Sequence, residues 1–287
     1  MKNLVTSLLT GAALVLGVGM AQAADMSAGP GYIPAPPPQA EAPSLGGGWY
    51  LRGDIGVGIQ DFRSTTPLDV AIPAATTYGG KALDDTVTFG AGVGYQFNEW
   101  FRLDATAEYR AGQRVGFTYS DNETTTTAGT FVNNYNGKHS AIVAMLNGYV
   151  DLGTYAGLTP YVGGGVGAAF HNISGFNDQG IVDTDGPAGP LSPSLVGGYA
   201  PNKWTTSFAW ALTAGASYDV TPGLKLDLNY RYLNMGDATS GKVACAGGCS
   251  RYRMNDIDSH DLRLGMRWVF APEAPMMPAP MPVSTKF

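Results

Sequence analysis

Charged side chains recur at every second position in several segments of this sequence, with large apolar ones between them. Arg52 and Asp54 alternate with Leu51, Gly53 and Ile55, and Arg102, Asp104, Glu108 and Arg110 with Leu103, Ala105, Ala107 and Tyr109. Lys225, Asp227 and Arg231 alternate with Leu226, Leu228 and Tyr230, and Asp261, Arg263 and Arg267 with Leu262, Leu264, Met266 and Trp268. Successive residues of a strand point to opposite faces, so each segment is a ribbon with one apolar and one charged face. Charges of both signs gathered on one side of a sheet could form a mutually neutralising network, as burial of charge requires. They could instead line a path for ions or protons. The balance of arginines and carboxylates favours the network.

Other reactive residue types are present without a workable arrangement. Ser259-His260-Asp261 supplies a nucleophile, a base and an acid, but alternation puts His260 on the apolar face and the other two on the charged face, so they cannot converge as a triad must. His139 and His171 lie at the ends of other segments with no evident serine beside them. Arg52-Gly53-Asp54 matches a cell-adhesion tripeptide, yet it sits inside a strand pattern. Cys245 and Cys249 share one short segment; in an oxidising compartment they are expected to form a disulfide. So small a ring adds about 2 kcal/mol in the chain-entropy model. Two cysteines without a second pair do not make a zinc site. The expectation is no enzyme, no catalytic residue, no cofactor and no metal.

The elements that must position these charges are strands in an exported chain. Met1 to Ala23 reads as a secretory signal, with Lys2 in the n-region, an apolar run from Leu4 to Met20, and Ala21-Gln22-Ala23 as the cleavage site. No later stretch reaches the roughly 18 consecutive apolar residues of a membrane helix. An exported chain with apolar outer faces can then span a membrane only as a closed barrel. Residues 24–48 form a Pro/Gly-rich linker expected in the periplasm, and 271–287 a Pro-rich tail. The formal charge is −6, or −7 once Lys2 leaves with the signal. An acidic chain of this kind is not built for nucleic acid.

Between linker and tail, 49–270, the alternation marks eight strands, about 49–61, 86–97, 101–119, 139–152, 159–172, 205–220, 224–234 and 259–270. The connections after the second, fourth and sixth are short. Those after the first, third, fifth and seventh, about 62–85, 120–137, 173–204 and 235–258, are expected to be long polar loops. Short periplasmic turns against long external loops are the mark of outer-membrane barrels. The expected fold is all-β: an eight-stranded antiparallel transmembrane β-barrel, an up-and-down meander with both termini periplasmic. Trp49, Trp100, Tyr218, Trp268 and Phe270 fall at the short-turn end, where an aromatic girdle meets the headgroups.

The opening Trp49-Tyr50-Leu51-Arg52-Gly53-Asp54 and the ending Asp261-Leu262-Arg263-Leu264-Gly265-Met266-Arg267-Trp268 resemble the small outer-membrane barrels of alphaproteobacteria, porin-family and surface-antigen proteins. These are similar in turn to opacity-type and OmpA-like eight-stranded barrels. The resemblance covers about Gly48 to Phe270 and implies an integral outer-membrane protein with envelope-stability and host-contact roles. It implies outer-membrane lipid and lipopolysaccharide as surroundings, the barrel-assembly machinery as a partner in biogenesis, and a host or environmental ligand at the loops. Either Phe270, closing the last strand, or the terminal Phe287 would supply the aromatic that the assembly machinery reads. Three rival readings stay open: a narrow porin-like channel, a lipid-modifying barrel enzyme, and a soluble lipocalin-like barrel with its apolar faces inside.

Overall fold

The structure, a computed structural model, describes residues 48–69, 77–123, 129–184, 194–244 and 250–270. The strands in chain order are β1 (Gly48–Pro67), β2 (Thr77–Leu83), β3 (Thr86–Gln96), β4 (Phe101–Glu123), β5 (Gly129–Asp151) and β6 (Leu158–Thr184). They continue with β7 (Ser194–Tyr199), β8 (Lys203–Thr221), β9 (Leu224–Asn234), β10 (Ala238–Thr239) and β11 (Tyr252–Val269). Strands β1, β3, β4, β5, β6, β8, β9 and β11 follow one another round the sheet, each antiparallel to the next, and β11 pairs back onto β1 from Tyr50↔Val269 to Pro67↔Tyr252. The result is a closed eight-stranded meander barrel whose main ring has no free edge. The shorter β2, β7 and β10 add pairing along β4, β6 and β11.

Alternation decides which face looks out. Ile55 stands beside Leu264 on one side and Phe89 on the other, Phe89 beside Tyr109, Tyr109 beside Ile142 and Ile142 beside Phe170. All of these are exposed on the outer surface, a continuous apolar belt. A monomer in water rarely presents so large an apolar patch, and the lipocalin-like arrangement would require the opposite facing. The short turns close by local chemistry. Asn98 Oδ1 accepts from the main-chain N–H groups of Trp100 (3.0 Å) and Phe101 (2.8 Å). Gly153 and Gly157 take left-handed φ values of 95° and 82°. Trp49, Trp100, Tyr218, Trp268 and Phe270 are exposed at this end.

At the other end the structure corrects the sequence reading. Much of each segment expected to be a long polar loop is strand, because β1, β4, β5, β6 and β11 run on well past the belt. Along this extension the hydropathy reverses. Phe62, Val115, Phe117, Tyr135, Ile173, Phe176, Tyr252, Met254 and Ile257 are buried inside the barrel, while Arg114, Lys138, Gln179, Arg251 and Arg253 are exposed outside. The reversal coincides with a collar of irregularities. Register shifts fall between Arg110 and Gln113 on β4 and between Asn136 and Lys138 on β5. Gly175 on β6 and Asp256 on β11 take φ values of 57° and 50°. A bulge inserts an extra residue and bends its strand, so the inward parity of β4 changes from Arg110 to Gln113 and that of β6 from Ile173 to Phe176.

Candidate functional site

Inside the belt, six guanidiniums (Arg52, Arg102, Arg110, Arg231, Arg263, Arg267) face six carboxylates (Asp54, Asp104, Glu108, Asp151, Asp227, Asp261), and every one of these side chains is buried. They interlock in three knots. In the first, Arg52 donates through Nε (2.9 Å) and Nη2 (2.7 Å) to Asp54, and through Nη1 to Asp104 Oδ2 (2.8 Å) and the Tyr149 hydroxyl (3.0 Å). Tyr50 and Asn147 also donate to Asp104, at 3.1 and 2.7 Å.

The second knot is the tightest. Arg231 Nη2 donates to both oxygens of Glu108, at 2.7 Å each, and to Asp261 Oδ2 at 2.6 Å. Arg110 donates to Glu108 Oε1 at 2.8 Å and, in a fork, to Asp261 at 3.0 and 2.8 Å. Such bidentate, charge-assisted bonds are the strong class. Turned so that its amide oxygen faces the guanidinium, Gln60 accepts from Arg110 Nε at 2.8 Å. Arg263 completes the knot, 3.6 Å from Glu108 Oε2 and donating to Asn229 at 2.9 Å. A Cβ on Gly58 would fall 2.6 Å from Arg110 Nη2 and 2.7 Å from Ser259 Oγ, so only glycine leaves the knot its room.

The third knot lies at the short-turn end. The Arg102 guanidinium is sandwiched between the rings of Tyr149 and Tyr161, 4.4 Å from each centroid, with Nε 3.2 Å from Asp151. Arg267 donates to Ser217 at 2.8 Å and lies 3.3 Å from Asp227. Lys225, grouped with these charges by its parity, stands apart at the rim and pairs with Asp219. Asp151, Tyr50, Gln60 and Asn229 join the network without having been singled out from the sequence. Their inward parity was the available signal.

The candidate reactive residues separate. Ser259 is buried and donates to Asp261 Oδ1 at 2.5 Å, whereas His260 is on the outer face, its Nδ1 2.6 Å from the Tyr230 hydroxyl. Arg52 and Asp54 both point into the lumen, where no partner cell could reach them. Sequence reasoning missed the surroundings of the two lumen histidines. His139 Nε2 lies 2.9 Å from His171 Nδ1, and His171 Nε2 lies 2.9 Å from Ser207 Oγ and 3.0 Å from the Met235 carbonyl. A serine does stand beside a histidine, then, but its hydroxyl donates to the Met235 carbonyl at 2.5 Å, and among the described residues no carboxylate hydrogen-bonds to either histidine. The positions lie on different strands, and no local pattern announces that meeting. Among the described residues no group of three or more His, Cys, Asp or Glu is placed to hold a metal ion. Cys245 and Cys249 lie outside the described residues.

Above the collar the lumen is plugged by rings. Tyr135 stacks on Phe117 at 4.8 Å, Tyr252 lies 4.5 Å from Tyr135, and the Tyr252 hydroxyl donates to that of Tyr135 at 2.7 Å. Asp178 hangs beside them, and burial pushes its carboxyl up to about 6.

Comparison with known proteins places this geometry in a family. The model of the outer membrane protein beta-barrel domain matches residues 10–270. An uncharacterized protein of Brucella suis biovar 1 is 33% identical over 90% of this chain and 95% of its own length. A Rickettsia bellii protein described as a candidate adhesin is 27% identical over 77% of this chain and 87% of its own. Among solved structures, the outer membrane protein OprG of Pseudomonas aeruginosa is 15% identical, with a TM-score of 0.46, over 80% of this chain and 98% of that one. The chain belongs to the outer membrane β-barrel family and is a protein of the bacterial outer membrane.

Proposed function

We propose that this protein is a sealed surface barrel: the belt anchors it, the lumen network holds it shut, and the extension above the collar offers its loop tips to a host or environmental ligand. The observation that carries the reading is the interlocked lumen, six arginines against six carboxylates. Leaving one such buried charge without its partner costs about 3–5 kcal/mol, and opening the lumen would disrupt several pairs. An eight-stranded ring is in any case just wide enough for side chains to fill. The aromatic plug adds a second closure in series. The resemblance to the Rickettsia bellii candidate adhesin supports the surface-contact half of the proposal.

The remainder follows from export. The signal is removed near Ala23, the assembly machinery inserts the barrel, both tails lie in the periplasm, and the belt contributes to envelope integrity. Catalysis is not part of this reading, since Ser207 has its proton committed to a main-chain carbonyl. Two measurements test the proposal. In planar bilayers the purified protein gives only rare, small conductance steps; sustained conductance comparable to a trimeric porin refutes the sealed lumen. Bacteria displaying the protein should adhere to host cells or matrix better than bacteria displaying a form with Gly-Ser loop tips. Equal adhesion refutes the contact role.

A further inference from the structure

The chain has three histidines, and two of them meet inside the collar. The pair straddles the register shift of β4: His139 on β5 is opposite Gln113, and His171 on β6 is beside Ala141, which is opposite Arg110. Both side chains are buried. Below them lies the Arg110 knot, and above them Tyr135 and Phe176 begin the aromatic plug. Their bonds run on to Ser207 of β8 and to the main chain just beyond β9. One cluster thus ties β5, β6, β8 and the end of β9 together where belt meets extension.

The partners fix the place of every proton in this cluster. The Met235 carbonyl only accepts, and Ser207 gives its own proton to that carbonyl. His171 Nε2, 3.0 Å from the carbonyl and 2.9 Å from Ser207 Oγ, must therefore carry hydrogen. In the neutral ring His171 Nδ1 is then bare, and it accepts from His139 Nε2 at 2.9 Å. His139 Nδ1 is left bare in turn, and that atom is buried without a partner. A first extra proton can go only there, making a buried cation whose new N–H faces nothing. A second would go on His171 Nδ1 and set N–H against N–H across the same 2.9 Å.

The charges around the pair do not relieve this. Arg110 acts on both rings with the same sign that a proton would bring. Asp237 acts on His171 from beyond β9, but its Oδ1 already accepts from the Asp256 N–H. We propose that the pair is an acid-released latch between the barrel and its extension. Opening the collar exposes two ordinary imidazoles, which take up protons below about 6.5, whereas the closed pair has no place for them. Protons bind the open form, so the latch has its full strength above about 6.5 and loses it as pH falls below that value. If both rings respond, the opening equilibrium rises roughly 600-fold from pH 7 to pH 5, and if one responds, roughly 25-fold. Asp178 works one layer up with the opposite sign, since burial pushes its carboxyl up to about 6. Acid therefore tightens the plug while it frees the joint beneath.

The test uses the full-length protein in lipid nanodiscs, with hydrogen exchange at pH 7 and pH 5 corrected for intrinsic rates. It is read at residues 139–143, 169–173 and 205–209, where local opening sets the rate. The wild type should speed there by the larger factor while exchange around Tyr135 and Tyr252 slows. His139→Gln, whose amide can still donate to His171 Nδ1, should show only the smaller factor. His139→Gln/His171→Gln should show no acid acceleration. His260→Gln, which removes the outward histidine bonded to Tyr230, should match the wild type. An acid response that survives in the double variant, or that is missing from the wild type, overturns the latch. Nitrogen NMR of the wild-type imidazoles checks the proton placement without any substitution. His139 and His171 should both be neutral rings with the proton on Nε2 at pH 7, and a charged ring or an Nδ1–H ring at either position overturns the latch whatever the variants do.

Discussion

Replacing Glu108 by glutamine tests whether the lumen is a dry network or a wet channel. Glu108 takes bonds of 2.8 Å from Arg110 and 2.7 Å, twice, from Arg231, and is the carboxylate nearest Arg263 at 3.6 Å. Its side chain is 4% exposed and those of the three arginines no more than 5%. Without its charge, Arg110 and Arg231 are left to share Asp261, Arg263 loses its ion pair, and the new amide N–H₂ points a donor at donors. Removing one partner of a buried ion pair typically costs about 3–5 kcal/mol, and that range is the expectation for Glu108→Gln. Arg263 leans on Glu108 more than its neighbours do, so removing its charge as well should relieve the imbalance. Glu108→Gln/Arg263→Gln should recover about 1–3 kcal/mol relative to Glu108→Gln, a coupling within the range for residues in one network. Urea unfolding in lipid vesicles, followed by tryptophan fluorescence, reads both values as shifts in midpoint at constant slope. A loss under about 1 kcal/mol is what an exposed ion pair yields. That result would mean water fills the lumen, and the sealed-barrel reasoning would be wrong.

Leu264 lies in register between Ile55 and Leu228 on the outer belt, so Leu264→Arg should cost about 2–4 kcal/mol if it is near the midplane; a neutral outcome in the same unfolding assay would contradict the facing. Burial raises the Asp178 carboxyl to about 6 from 3.8. Its folded-state value is above its unfolded one, so the extension gains stability as pH falls from about 6 to about 4 and loses it again as pH rises through that window. Hydrogen exchange around Tyr135 and Tyr252 should therefore slow between neutral pH and pH 5 after correction for intrinsic rates. Asp178→Asn should abolish the difference, and a pH response that survives in the variant would assign it elsewhere. Mass spectrometry of alkylated, unreduced protein should find Cys245 and Cys249 unlabelled; two labelled thiols would exclude the disulfide.

The belt and its strand count were legible because lipid imposes one rule on every strand there, apolar out and polar in, and that rule prints a period of two. Arg102, Asp104, Glu108 and Arg110 could be placed on one face from spacing alone. The extension was not legible for a physical reason. Above the collar the solvent is water, so the rule inverts, and the bulges at Gln113 and around Gly175 move the parity by one residue at the same height. Either change alone would break the alternation. On β4, β6 and β11 the two together cancel, so Tyr109 and Phe117, Phe170 and Phe176, and Leu264 and Tyr252 keep one sequence parity although the first of each pair faces lipid and the second the lumen. Partner identity inside the lumen was out of reach as well. Parity says that Arg231 points inward, but its choice of Glu108, which comes from β4 across the bore, depends on stagger and on the space left by Gly58.

The collar also makes the barrel its own depth gauge. On β4, β5, β6 and β11 the change from greasy to wet wall occurs at irregularities of the backbone rather than by gradual drift, and none of these can slide without repacking the lumen. A single helix meets a bilayer of the wrong thickness by tilting. A closed ring of eight strands with fixed register has no such freedom. The surrounding lipid must stretch or thin to meet the wall, and the energy of that deformation, modest for each ångström of mismatch, falls on the membrane. Wherever the bilayer varies in thickness, this protein should gather in the patches that already fit it.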